Sequence, residues 1–153
     1  METLKGIRET LLVVDDDESV LRVVVAMLEH ANFRVFSAQN GAGAMKLAGE
    51  MELKIHLLLS DIDMPQMSGP DLASALKITR PDIRVMLMSG GNNGLLVLSY
   101  GWAYIQKPFL NGKLVQMVTN VLHSEDRSQL GHEFDTRKDI RNDLMPIKRQ
   151  KVP

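Results

Sequence analysis

Asp61 follows the apolar run Ile55-His56-Leu57-Leu58-Leu59-Ser60 and opens the segment Asp61-Ile62-Asp63-Met64-Pro65-Gln66-Met67-Ser68-Gly69-Pro70. A second apolar run, Leu11 to Val14, ends in Asp15-Asp16-Asp17. A third, Val85 to Met88, ends in Ser89-Gly90, and Tyr104-Ile105-Gln106 ends in Lys107-Pro108-Phe109. Four strand-like runs therefore each deliver a polar group at the carboxyl end, the edge where open parallel sheets bind ligands. Adjacent carboxylates such as Asp15 and Asp16 repel each other, and burial disfavours charge, so such a pair calls for a cation. Oxygen-rich clusters of this kind suit Mg²⁺, which keeps several waters and takes one or two carboxylates; Mn²⁺ is the alternative ion. Lys107 offers a fixed positive charge and Ser89 a hydroxyl donor. Gly90 leaves space and offers a backbone N–H. Asp17 and Glu18 read instead as acids at a helix N-terminus, where the dipole favours them.

The elements that must position these groups follow from periodicity. Leu11 to Val14 is short and continuously apolar, the pattern of a strand buried on both faces. Asp17 or Ser19 caps a helix running to about residue 31, with Val20, Val23, Val24, Met27 and Leu28 on its inner side. Arg34 to Ala38 reads as a strand and Asn40 to Gly49 as a small-residue helix with an Asn cap. Ile55 to Ser60 is the third strand. Ser68-Gly69-Pro70 starts a helix to Thr79, with Pro70 near the first helical position, and Pro81 marks its end. Arg84 to Met88 and Tyr104 to Gln106 are strands, and Asn111 caps a last helix to about residue 123. Alternating βα units with short connections imply a parallel sheet with helices on both faces.

Taken together, these residues resemble the response-regulator receiver family over roughly residues 9–123. The resemblance rests on Val13-Val14-Asp15-Asp16, Asp61-x-x-Met64-Pro65-x-Met67-x-Gly69, Met88-Ser89-Gly90 and Tyr104-x-x-Lys107-Pro108-Phe109. It implies an α/β, flavodoxin-like, doubly wound five-stranded parallel sheet of order 2-1-3-4-5. It implies that Asp61 is a phosphoacceptor, forming an acyl phosphate with a phosphoryl group drawn from a phosphohistidine. The donor would be a sensor histidine kinase or a phosphotransfer protein. Asp16 and Asp61 would ligate the metal directly, Asp15 mainly through water, and the backbone carbonyl of Asp63 would complete the protein's share. Lys107 would pair with Asp61 before phosphorylation and with the phosphoryl group afterwards, while Ser89 and Gly90 bind phosphoryl oxygens. Tyr104 and Ser89 match the family's switch positions, so phosphorylation would draw Ser89 inward and repack the surface around Tyr104. Lys107-Pro108 is a candidate cis peptide. The Asp63 side chain, at the mouth of the site, is expected to alter the rate of phosphoryl loss.

Two regions depart from the regular pattern. Gly90-Gly91-Asn92-Asn93-Gly94 occupies the place where a fourth helix should begin, leaving Leu95 to Tyr100 for a shortened one. Residues 124–153 form a charged tail with seven Lys/Arg and six Asp/Glu, expected to be flexible. Residues 1–8 are expected to be a leader, and residues 9–123 the single domain.

Composition bounds the rest. The 153-residue chain is 44% hydrophobic with a net charge of -1, which gives no nucleic-acid footprint. It has no cysteine, which excludes disulfides and zinc-thiolate sites. No signal peptide or membrane span is expected, and the location is expected to be cytoplasmic. His30, His56, His123 and His132 show no ligand spacing; His56 reads as a satisfied strand residue rather than a catalytic one. The ten Met residues read as core filler. No fused output domain is expected, so output would pass through a downstream protein, with homodimerisation open. The chain is not expected to be an enzyme beyond self-catalysed phosphoryl acceptance and slow hydrolysis. Two alternatives are a degenerate receiver acting as an interaction module and a haloacid-dehalogenase-type phosphatase. The second also uses Asp-x-Asp after an apolar strand, but there the motif opens the first strand.

Overall fold

The computed structural model describes residues 8–91 and 101–124. Its strands are β1 (Thr10–Val14), β2 (Arg34–Ala38), β3 (Leu57–Asp61), β4 (Arg84–Ser89) and β5 (Ala103–Gln106). They form one parallel sheet in the order β2-β1-β3-β4-β5, the flavodoxin-like order expected. The described helices are α1 (Glu18–His30), α2 (Gly41–Glu50), α3 (Gly69–Thr79) and α4 (Asn111–His123).

β1 and β3 are buried at every position, as strands covered on both faces must be. The edge strand β2 has no fully buried position: Arg34 and Ser37 are exposed, and Val35, Phe36 and Ala38 are half-buried. On one face, Leu12, Val14, Leu58, Val85 and Leu87 pack with Ala44 and Ala48 of α2 and Leu72 and Leu76 of α3. Strand alternation turns Leu11, Val13, Leu57, Leu59 and Met86 to the other face. There α1 and α4 bury Leu21, Val24, Leu28, Leu114 and Val118.

α1, α2 and α3 each start at a polar cap, whereas Asn111 is the first helical residue of α4 rather than its expected cap, and the Leu110 carbonyl before it accepts the Leu114 N–H (3.1 Å). Asp17 accepts from the N–H groups of Ser19 and Val20, Asn40 from Gly43, and Ser68 from Asp71. The Arg80 guanidinium at the end of α3 donates to the carbonyls of Ala48 (2.9 Å), Met51 (2.8 Å) and Leu53 (3.0 Å), satisfying the open end of α2.

Several predicted details shift. β3 begins at Leu57 rather than Ile55 and extends to Asp61. β4 includes Ser89, and β5 begins at Ala103. The inner stripe of α1 is Leu21, Val24 and Leu28, and Val23 is 53% exposed. At about 100° per residue, both stripes fit the helical repeat, and the contact with β1 and α4 selects one. The predicted shortened fourth helix and most of the Gly90–Gly94 turn lie outside the described residues, as do the charged tail beyond Ser124 and residues 1–7. Among the described residues, no helix is long and apolar enough to cross a membrane.

Candidate functional site

Strand register builds the site. Val14 pairs with Ser60, so the chain leaves β1 as Asp15 beside the end of β3, where Asp61 stands. Asp61 pairs with Met88, and Ser89 with Gln106, so Lys107 emerges next to Ser89. The Lys107 backbone N–H donates to the Ser89 carbonyl (2.7 Å), and the Lys107–Pro108 peptide is cis.

The side chains converge on one point. Lys107 Nζ donates to Asp15 Oδ2 at 2.6 Å and to Asp61 Oδ1 at 3.2 Å. The lysine contacts Asp61, its expected partner, and makes its shorter contact with Asp15. Asp15 is fully buried and Asp61 nearly so, while Asp16 is exposed. The other Asp15 oxygen accepts the Asp17 N–H (2.9 Å). Asp63 is exposed at the rim. Ser89 is fully buried, and its Oγ accepts the Gly91 N–H (3.1 Å). Tyr104 is half-buried and packs, with Trp102, against the α2–α3 face of the core.

Electrostatics set the character of the site. Burial pushes the Asp61 carboxyl up to about 6; the Lys107 charge opposes that rise, and the Asp15 charge adds to it. Burial alone would lower the Lys107 ammonium. The hydrogen bond to Asp15 and the Asp61 and Asp15 charges outweigh burial and raise it. Asp15, Asp16 and Asp61 each place a carboxylate oxygen within 4.8 Å of the others. Three clustered carboxylates, two of them paired with one lysine, form a hard, oxygen-only donor set with excess negative charge, and that fits Mg²⁺ or Mn²⁺.

The raised Asp61 carboxyl has a stability consequence. Below about 4 the group is protonated in both folded and unfolded chains and costs nothing. As pH rises from there through about 6, the unfolded chain loses the proton first, so stability falls; above 6 the full cost is present. Asp61→Asn is therefore expected to stabilise the metal-free protein by about 1–2 kcal/mol at pH 7.5, part of the gain being offset by the lost Lys107 contact. The gain should shrink towards zero near pH 4, as read by urea unfolding in EDTA.

The turn from β3 to α3 is shaped by close approach. Gly69 donates its N–H to the Ile62 carbonyl (2.9 Å). A Cβ at Gly69 would stand 2.2 Å from the Asp61 carbonyl oxygen. Gln66 takes a positive φ of 69°, and Met67 lies over Gly41, where a Cβ would stand 2.6 Å from its sulfur. The motif spacing signalled this turn, but not which atoms it brings together.

His56 is a satisfied residue, as expected. Its Nδ1 accepts the Thr10 N–H (2.9 Å), and burial lowers its pKa. His123 pairs with Glu9 (3.0 Å). His132 lies outside the described residues.

The family model for the response regulator receiver domain matches residues 11–119. The sensor kinase CckA of Brucella abortus is 29% identical over 121 residues, covering 76% of this chain and 13% of that protein. The response regulator receiver protein CpdR of Brucella abortus is 36% identical over 80 residues, covering 52% of this chain and 65% of that one. The chain thus spans less than two thirds of either relative. The crystal structure of the receiver domain from the hybrid histidine kinase CckA superposes with a TM-score of 0.65 at 28% identity, covering 74% of this chain and 99% of that one.

Proposed function

We propose that this chain, which belongs to the response regulator receiver domain family and so to two-component signalling, is a phosphoacceptor switch whose acceptor is Asp61. The observation that carries the reading is the convergence of Asp61, Asp15, Asp16 and Lys107 from three strand ends onto one point. The phosphoryl donor is a phosphohistidine on a sensor histidine kinase or phosphotransfer protein. An Asp61 carboxylate oxygen attacks phosphorus, a P–O bond forms, and the P–N bond breaks. The imidazole nitrogen keeps the electron pair and is protonated from solvent.

Each residue has one task. Lys107 keeps the two buried carboxylates together before reaction, then donates to a phosphoryl oxygen. The Ser89 hydroxyl, held locally on Gly91, turns to donate to another phosphoryl oxygen, and the Gly90 N–H faces the same group. Asp15, Asp16, Asp61 and the Asp63 carbonyl would hold Mg²⁺ or Mn²⁺, whose contribution is to neutralise charge on the phosphoryl oxygens. Movement of Ser89 frees the space beside Tyr104, and its half-buried ring then shifts, changing the surface offered to a downstream protein. The protein's catalysis is limited to its own phosphorylation and slow hydrolysis.

The test is intact mass after incubation with acetyl phosphate and Mg²⁺. The wild type is expected to gain one phosphoryl group, released by hydroxylamine, and Asp61→Asn none. An unmodified wild type, under conditions that label a control receiver, would overturn the reading.

A further inference from the structure

Ser60 is fully buried inside β3, between Val14 of β1 and Leu87 of β4, both fully buried and apolar. A hydroxyl there costs desolvation unless it makes a bond. It does: Ser60 Oγ donates to the Asp61 backbone carbonyl at 2.9 Å. Strand alternation turns the Ser60 side chain to the face opposite the Asp61 carboxylate, so it touches no reacting atom.

The same carbonyl oxygen is the one against which Gly69 lies. The other end of the same peptide is held too, because the Ile62 N–H donates to the Met88 carbonyl (2.9 Å), and the following peptide is held where the Ile62 carbonyl accepts from the Gly69 N–H (2.9 Å). Between the acceptor Asp61 and the rim residue Asp63, the backbone is thus held at three consecutive polar atoms. Ser60 supplies the only side chain among those holds.

We infer that Ser60 is a positioning residue for this site: its hydroxyl sets the Asp61 peptide plane so that the Asp61 carboxylate and the Asp63 carbonyl converge on one cation. The inference rests on the phosphoacceptor reading above. Its role is that of an outer-layer hydrogen bond that orients ligands, the kind whose loss weakens metal affinity and reactivity together.

The experiment compares wild type, Ser60→Ala and Ser60→Thr in the full chain. The Mg²⁺ dissociation constant is measured by titration calorimetry, and the rate of adduct formation with acetyl phosphate is measured at saturating Mg²⁺. Ser60→Ala is expected to weaken Mg²⁺ and slow the adduct, each by about tenfold, and Ser60→Thr, which keeps the hydroxyl, to stay within about threefold of wild type. A purely structural serine would lower the unfolding midpoint and leave both values unchanged; that result overturns the inference while a wild-type adduct upholds the phosphoacceptor reading. If the wild type binds Mg²⁺ but forms no adduct, the phosphoacceptor reading fails and the Mg²⁺ affinities alone decide Ser60. A wild type that does neither overturns both.

Discussion

Lys107→Ala is expected to destabilise the protein by about 3 kcal/mol at pH 7.5 in metal-free buffer and to slow Asp61 phosphorylation by about 100-fold. Its ammonium is within hydrogen-bonding distance of two carboxylates, at 2.6 and 3.2 Å, whose side chains are 1% and 10% exposed. Removing the cation leaves both acids facing each other with little water to screen them. Breaking a buried pair costs about 3–5 kcal/mol, and the partial exposure of Lys107 puts this site at the low end. The molecule's escape is to keep a proton on Asp61, whose carboxyl already stands at about 6 and would rise further. The sign follows: the loss is largest well above pH 6 and recedes as pH falls and Asp61 takes up its proton. Adding Asp61→Asn to Lys107→Ala should restore more than half of the lost stability, because only Asp15 then lacks its partner. Urea unfolding at pH 7.5 and 5.5 measures all three variants. A loss below about 1 kcal/mol that neither pH nor Asp61→Asn changes would show that Lys107 does not bind this pair together in solution.

How much of this was visible in the residues depends on the kind of signal. Parallel strands buried on both faces announce themselves as short apolar runs, and the polar residue after each run marks the site edge. Asp15, Asp61, Ser89 and Lys107 were therefore legible in place, and the register brings them together. Direction around a helix was less legible. Val20, Val23, Val24 and Met27 match a helical stripe as well as Leu21, Val24 and Leu28 do, and only the neighbour in space separates them. Contacts between elements left no periodic trace. Nothing in the order of residues says that Lys107 sits closer to Asp15 than to Asp61, since 92 and 46 residues respectively separate the partners. Ser60 looked like the polar end of an apolar run, when it is a buried donor inside the strand. A polar residue just before the site acid was the available clue, and its bond becomes apparent only when the backbone path to Asp63 is traced.

Gly69→Ala is expected to cost about 2–3 kcal/mol and to reduce Asp61 phosphorylation in whatever fraction folds. Local preference points the other way. Gly69 is the first residue of α3 and has no positive φ, so alanine should gain about 0.5–1 kcal/mol there from helix propensity and unfolded-state entropy. The loss must therefore come entirely from space. The added Cβ would stand 2.2 Å from the Asp61 carbonyl oxygen, 3.0 Å from its carbon and 3.1 Å from the Ile62 Cα. All three are backbone atoms, so no rotamer change relieves the clash. The end of β3 must move, and Asp61 with it. Gly41 is a milder case, because its added Cβ would meet Met67 side-chain atoms, nearest the sulfur at 2.6 Å, and an unbranched thioether can swing aside. Gly49, within α2, has nothing within 4 Å, so Gly49→Ala should stabilise by about 0.5–1 kcal/mol. The predicted order of stability, Gly49→Ala above wild type, then Gly41→Ala, then Gly69→Ala, is read from one set of urea unfolding curves. If Gly69→Ala matched Gly49→Ala, the close packing of α3 against the Asp61 carbonyl would be refuted, and with it the rigid turn on which the placement of the Asp61 carboxylate depends.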